Sequence, residues 1–186
     1  LKEMMRLALS FEDRILVWCQ LELKQNLNVD LIPSLFVLKN KMLSFGDSIL
    51  SHKIGYVDSS PFLNVKTNVC YPTWLMSANV GAIHTSSLVQ FESISFTKNF
   101  SYDLTSIAKL GMPKGLLCYF EPKLVLKAHT GLEKTANLFL LFRFVKQHYR
   151  LRWIVILFLN LLWHERKLPF VPFLISLFFK RRYCHK

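Results

Sequence analysis

Glycine and alanine are scarce in this chain: of 186 residues, six are Gly and six are Ala. A collagen-like repeat, with glycine at every third position, is excluded. Cysteine is sparse as well. Cys19, Cys70, Cys118 and Cys184 stand far apart, with no Cys-x-x-Cys pair. That spacing indicates neither a zinc site, nor a redox motif, nor a disulfide framework. The four read as free thiols, Cys19 and Cys118 as small core hydrophobes. Acids are few, 12 Asp+Glu against 24 Lys+Arg, for a formal charge of +12. An acidic disordered chain is therefore excluded, and the isolated carboxylates argue against a two-carboxylate hydrolase. Several apolar spans of about 20 residues, which a polytopic transporter needs, are also lacking.

What is present is apolar and basic. Hydrophobic residues make up 52% of the chain, and Leu, Phe and Lys together account for 65 of 186 positions. A chain of this length buries a core without a disulfide or metal staple. Phe, Lys, Ile and Asn take A/T-rich codons, so the bias suggests an A/T-rich coding sequence. With Leu1 at its start, the chain also fits a fragment, or a reading frame never selected as a protein.

The N-terminal third reads as helical. Met4, Leu7, Ala8, Phe11, Ile15 and Trp18 follow a helical spacing and predict an amphipathic helix over 2–26. Asp30 can cap a second helix over 31–43, with Pro33 in its first turn and Leu31, Leu35, Leu38 and Met42 on one face. From Gly46 the pattern shortens. Leu63 to Tyr71 alternates and predicts a strand, and Leu88–Thr97 predicts another, with a bulge at Glu92-Ser93. Gly111–Gly115 reads as a turn, and the Glu121-Pro122 break separates short strands at 116–120 and 123–128. After Gly131 the spacing predicts a helix over 132–150, then apolar runs at 153–163 and 168–179. The expected fold class is α+β: N-terminal helices, a small mainly antiparallel sheet, and C-terminal basic apolar helices. The expected division is a small α+β domain over 1–130 and a helical segment over 131–186.

The charge is concentrated at the C-terminal end. Residues 143–186 hold ten Lys/Arg and one acid, Glu165. Arg143, Lys146, Arg150, Arg152, Arg166, Lys167, Lys180, Arg181 and Arg182 flank apolar runs bounded by Trp153 and Trp163. Cations beside aromatic-rich apolar runs suit a membrane interface, where they meet anionic headgroups and Trp sits at headgroup depth. Arg143, Lys146 and Arg150 are expected to stack on one helix face. Trp153–Trp163 is short for a span, and joining it to 168–179 would put Glu165, Arg166 and Lys167 near the midplane. An interfacial helix pair fits this pattern best among membrane placements, with a single marginal transmembrane span second. A buried core helix is the soluble counterpart.

Phe45-Gly46-Asp47-Ser48-Ile49 resembles the first block of the GDSL family of lipases and esterases. The resemblance implies Ser48 as nucleophile. No Asp-x-x-His follows anywhere in the chain, and Lys39–Met42 does not read as the buried strand that should precede such a serine. The six histidines, at 52, 84, 129, 148, 164 and 185, are dispersed, and neither a metal site nor a cofactor is indicated. Asn99-Phe100-Ser101 is an N-glycosylation sequon.

Taken as a sequence, the chain is expected to be a non-enzymatic, membrane-associated protein with an anionic membrane surface as partner. A basic RNA-binding or ribosome-associated protein is the first alternative, Tyr149 and Trp153 stacking on bases. A Ser48 hydrolase is the second. No small-molecule substrate is indicated.

Overall fold

Five consecutive buried residues, Val80-Gly81-Ala82-Ile83-His84, form a strand near the middle of a five-stranded sheet. A strand covered on both faces reads as a continuous apolar run without alternation, and this one carried no strand signal in the sequence. The computed structural model describes residues 1–50, 68–127 and 136–182. Among these, one compact unit holds 1–48 and 68–127, and a second holds Ile49, Leu50 and 136–182. The expected boundary at 130/131 lies outside the described residues.

In the first unit, chain order is α1 (Lys2–Ser10), β1 (Ile15–Cys19), a 3₁₀ turn (Leu21–Asn26), α2 (Ile32–Leu35), β2 (Lys41–Phe45), β3 (Tyr71–Pro72), β4 (Val80–His84), α3 (Thr85–Val89), α4 (Phe100–Gly111) and β5 (Leu117–Phe120). The sheet order is β1-β4-β2-β5-β3. The β2–β5 pair is parallel and the others are antiparallel. The chain is thus α+β, with a small mainly antiparallel sheet and helices at both ends.

Both faces of the sheet are covered. On one, Trp18, Met42 and Ile83 pack with Met5 and Ala8 of α1 and Leu104, Ile107 and Ala108 of α4. On the other, Leu43, Phe45, Val80 and Ala82 pack with Leu23, Ile32 and Leu124.

Several expected elements differ. The helix expected over 2–26 stops at Ser10. Asp13 takes the left-handed conformation, φ +54°, and the β-branched and aromatic run that follows pairs with β4 as strand β1. The helix expected over 31–43 keeps its early Pro33 but ends at Leu35. Lys41–Phe45 is β2, held between β4 and β5. It is a buried strand directly before Gly46, contrary to the reading of Lys39–Met42.

The strand expected over 88–97 is replaced by α3 and the turns after it. His84 caps α3, its ring accepting a hydrogen bond from the Ser86 amide. Most of the strand expected over 63–71 lies outside the described residues; Tyr71 belongs to β3. The turn at Gly111–Gly115 is present, with Gly115 at φ +93°. Beyond Glu121 the chain makes a 3₁₀ turn (Pro122–Leu124) and a single bridge from Val125 to Leu27 rather than a strand.

Helix α4 had no sequence signal because it has no solvent face over most of its length. Tyr102 through Ala108 are all buried. Its polar members are satisfied internally: Thr105 Oγ1 donates to the Met76 carbonyl at 3.3 Å, and Asp103 accepts from the Thr97 amide at 2.7 Å. Buried polar groups are tolerated on that condition.

The second unit contains α5 (Leu138–His148), α6 (Arg152–His164) and α7 (Phe170–Leu177). Leu141, Phe142, Phe144, Val145, Ile154, Leu157 and Leu161 are its fully buried core. Phe142 meets Phe173 edge-on with ring centroids 6.2 Å apart, and Phe158 lies 5.0 Å from Phe173 and 5.1 Å from Phe170.

Candidate functional site

The apolar residues of α6 divide by face. Ile154, Leu157 and Leu161 point into the three-helix core, while Val155, Leu159, Leu162 and Trp163 are exposed. The exposed four stand at i, i+4, i+7 and i+8, which is one side of a helix. On α7 the exposed apolar side is wider: Phe170, Val171, Leu174, Ile175 and Leu177, with Phe178 just after the helix, are exposed, and Pro172 and Ser176 are buried. Trp163 is 83% exposed and Phe178 is 87% exposed. Side chains of this size rarely stand open to water in clusters without a binding partner.

Helices α6 and α7 are separate. Arg166 takes the left-handed conformation, φ +50°, and ends the first helix, and Pro169 precedes the second. The thirteen residues of α6 reach about 20 Å at 1.5 Å per residue. A bilayer core is about 30 Å thick. Among the described residues, no helix is long and apolar enough to cross a membrane.

The cations are distributed unevenly. Arg150, Arg152, Arg166, Lys167, Lys180 and Arg181 are exposed, whereas Arg143, Lys146 and Arg182 are half-buried. The expected stack of Arg143, Lys146 and Arg150 on one helix face does not form, because α5 ends at His148 and Arg150 lies in the link to α6. Arg143 instead lays its guanidinium 4.8 Å from the Phe179 ring centroid. Trp153 is half-buried, edge-on to Tyr149, with the Arg152 guanidinium 5.8 Å from its ring. Glu165, the one acid of the region, is neutralised by Lys167 at 2.8 Å. The exposed cations thus bracket α6 at both ends and follow α7.

Ser48, carried by the GDSL-like motif, follows β2 and is 5% exposed. The three described cysteines, Cys19, Cys70 and Cys118, are free thiols. Burial pushes the Cys118 thiol up to about 12, and burial together with Glu121 pushes Cys70 up to about 11. Both stay protonated near neutral pH, so neither is an activated nucleophile. Among the described residues, no group of three His, Cys, Asp or Glu side chains is placed to hold a metal ion.

Comparison with family models finds no match, and comparison with curated proteins and with solved structures finds none either.

Proposed function

We propose that the C-terminal helical unit is an interfacial membrane-binding module for anionic lipid. The observation that carries this reading is the pair of exposed apolar faces on α6 and α7, bracketed by exposed Arg and Lys. Both helices lie in the plane of the interface. Trp163 sits at headgroup depth, and Leu159, Leu174 and Phe178 enter the acyl boundary. Arg150, Arg152, Arg166, Lys167, Lys180 and Arg181 meet the headgroups. Each cation near an anionic surface contributes about 1 kcal/mol, and each fully buried large apolar side chain about 1.5–3 kcal/mol. The two contributions differ in salt dependence, since screening weakens the first alone.

That difference supplies the test. The full chain is sedimented with phosphatidylserine-containing vesicles and with pure phosphatidylcholine vesicles, at low and high salt. The expected outcome is stronger binding to the anionic vesicles, with a fraction that high salt does not release. No binding, or complete release by salt, would overturn the reading. Complete release combined with salt-sensitive binding to single-stranded RNA would favour the nucleic-acid alternative.

A further inference from the structure

A second cluster lies in the sheet unit, at the junction of β4 and α3. His84 ends β4 and its ring is buried. Its Nδ1 lies 2.8 Å from Ser86 Oγ and 3.3 Å from the Ser86 amide nitrogen. A backbone N–H can only donate, so Nδ1 is the unprotonated nitrogen and Nε2 carries the proton. Nε2 faces Asp13 Oδ1 at 3.4 Å. The ring therefore shares its Nδ1 lone pair between the Ser86 amide and the Ser86 hydroxyl, and its protonated nitrogen lies 3.4 Å from the exposed Asp13 carboxylate, a charge contact rather than a hydrogen bond.

Two features hold Asp13 there. It occupies the left-handed conformation, φ +54°, at the turn between α1 and β1. The segment just after it is bound to the start of α3 by a reciprocal pair. The Arg14 amide donates to Thr85 Oγ1 at 3.1 Å, and the Thr85 amide donates to the Arg14 carbonyl at 2.9 Å. Lys39 pairs with the Asp13 carboxylate. That hydrogen bond and charge hold the Asp13 carboxyl below the usual range, with smaller help from His84 and Arg14, so Asp13 is ionised at neutral pH.

The serine faces open space. Ser86 is exposed, and with Asp13 it lines a cleft of about 390 Å³, whose other walls include Leu9 and Val89 on the apolar side and Glu12 on the acidic side. The dimensions suit a short apolar acyl group, and Glu12 disfavours an anionic substrate.

We propose that Ser86 is an acyl-transfer nucleophile, with His84 as its general base and Asp13 as the residue that positions the imidazole. The substrate class is a carboxylic ester with a short apolar acyl group and an uncharged or cationic alcohol portion. Ser86 Oγ attacks the ester carbonyl carbon as its proton passes to His84 Nδ1. The carbon–oxygen bond to the alcohol breaks, and His84 returns the proton to the departing alkoxide. Water, deprotonated by the same nitrogen, then attacks the acyl-serine. It releases the carboxylic acid and restores the hydroxyl, so one ester and one water give one acid and one alcohol. The roles are those of a Ser-His-Asp triad with the two ring nitrogens exchanged.

The test uses the full chain with p-nitrophenyl acetate and a fluorophosphonate probe, the labelled residue being located by peptide mass spectrometry. The expected result is slow turnover, and one phosphonate adduct, on Ser86. Ser86→Ala should abolish both while the protein still folds, because the Ser86 amide, which the substitution keeps, still bonds His84 Nδ1. His84→Gln should lower turnover by about 100-fold or more. Asp13→Asn should lower kcat with KM unchanged, and Asp13→Glu should restore part of the loss. Turnover that survives Ser86→Ala, or an adduct on Ser48 or elsewhere, would overturn the assignment. The absence of both turnover and labelling would also overturn it, and would leave the His84–Ser86 contact as a helix cap alone.

Discussion

The Trp18 indole fills the space over Gly81 on the neighbouring strand. The two are register partners between β1 and β4, and a Cβ built on Gly81 would lie 2.1 Å from Trp18 Cζ2. Trp18 is buried, its Nε1 donates to the Ser77 carbonyl at 3.1 Å, and Phe100 of α4 meets it edge-on. The missing side chain at Gly81 is thus what lets a tryptophan lie against the sheet and reach α4.

Gly81→Ala is expected to destabilise the sheet unit by about 3 kcal/mol, the upper part of the overpacking range. The Leu43 carbonyl, 2.5 Å from the same point, offers no relief. Trp18→Ala is expected to cost about 3–5 kcal/mol by leaving a cavity. In the double variant the indole clash is gone, so the combined loss should be smaller than the sum of the two. Urea denaturation of the four proteins measures this. Strict additivity would show that the ring does not rest on Gly81.

Asn99 caps α4, its side-chain oxygen accepting from the Tyr102 amide at 3.0 Å. Asn99→Ala should cost about 1 kcal/mol, and Asn99→Asp should keep most of the stability, since aspartate accepts the same bond. Both are read from urea midpoints. Equal losses for the two variants would exclude capping as the role of this side chain, which also heads the glycosylation sequon.

Cys118 is 1% exposed beside Met42 on the central strands. Burial pushes its thiol up to about 12 from an ordinary value of 9.0. A raised value means that the folded state binds the proton more tightly than the unfolded state. The resulting stability is complete below the ordinary thiol value and is lost as pH rises towards 12. At pH of about 10.5 the loss should reach about 2 kcal/mol, from 1.36 kcal/mol per unit. Cys118→Ala should be less stable at neutral pH but decline less between pH of about 8 and 10.5. The difference between the two urea-midpoint profiles isolates this thiol from the other alkaline titrations.

The parts legible from sequence are those whose ends are marked. Strand β5 was legible from its punctuation, the Gly111–Gly115 turn before it and the Glu121-Pro122 break after it; that Cys118 and Phe120 are buried while Leu117 and Tyr119 are half-exposed was not written in its apolar sequence. The apolar run 153–163 coincides with α6 to within a residue at each end. Illegible were the elements with no wet face, β2, β4 and α4, whose periodicity is erased by burial on every side. The three-residue spacing of Ile15 and Trp18 is that of one helix face; in β1 it sends them to opposite faces of the sheet, Ile15 to the Leu43 side and Trp18 to the Met42 side, and the strand is tolerated because both faces are covered. The C-terminal residue types suggested an interface. Packing against α5 and between the helices determined which apolar residues turn inward, Ile154 and Leu157, and which turn outward, Leu159 and Trp163. The cluster at His84 had no local signature at all, because Asp13 joins it only when β1 pairs with β4.

The membrane reading makes its sharpest prediction at Trp163 and Phe178. Of the four tryptophans, Trp18 is buried, Trp74 and Trp153 are half-buried and Trp163 is open to water. If α6 lies in the interface, anionic vesicles should shift the tryptophan emission of the full chain to shorter wavelength. Trp163→Phe should remove most of that shift while preserving sedimentation with the vesicles, since phenylalanine keeps the apolar contribution. Trp163→Ser combined with Phe178→Ser should weaken the salt-resistant binding by at least tenfold, because two large side chains together contribute more than the 1.4 kcal/mol that tenfold represents. Arg166→Gln with Lys167→Gln should weaken binding to phosphatidylserine-containing vesicles and leave binding to phosphatidylcholine unchanged, since only the charge is removed. An emission shift that persists in Trp163→Phe would place the membrane contact elsewhere in the chain. Salt-resistant binding unaffected by the double serine variant would rule out the exposed faces of α6 and α7 as the inserting surface.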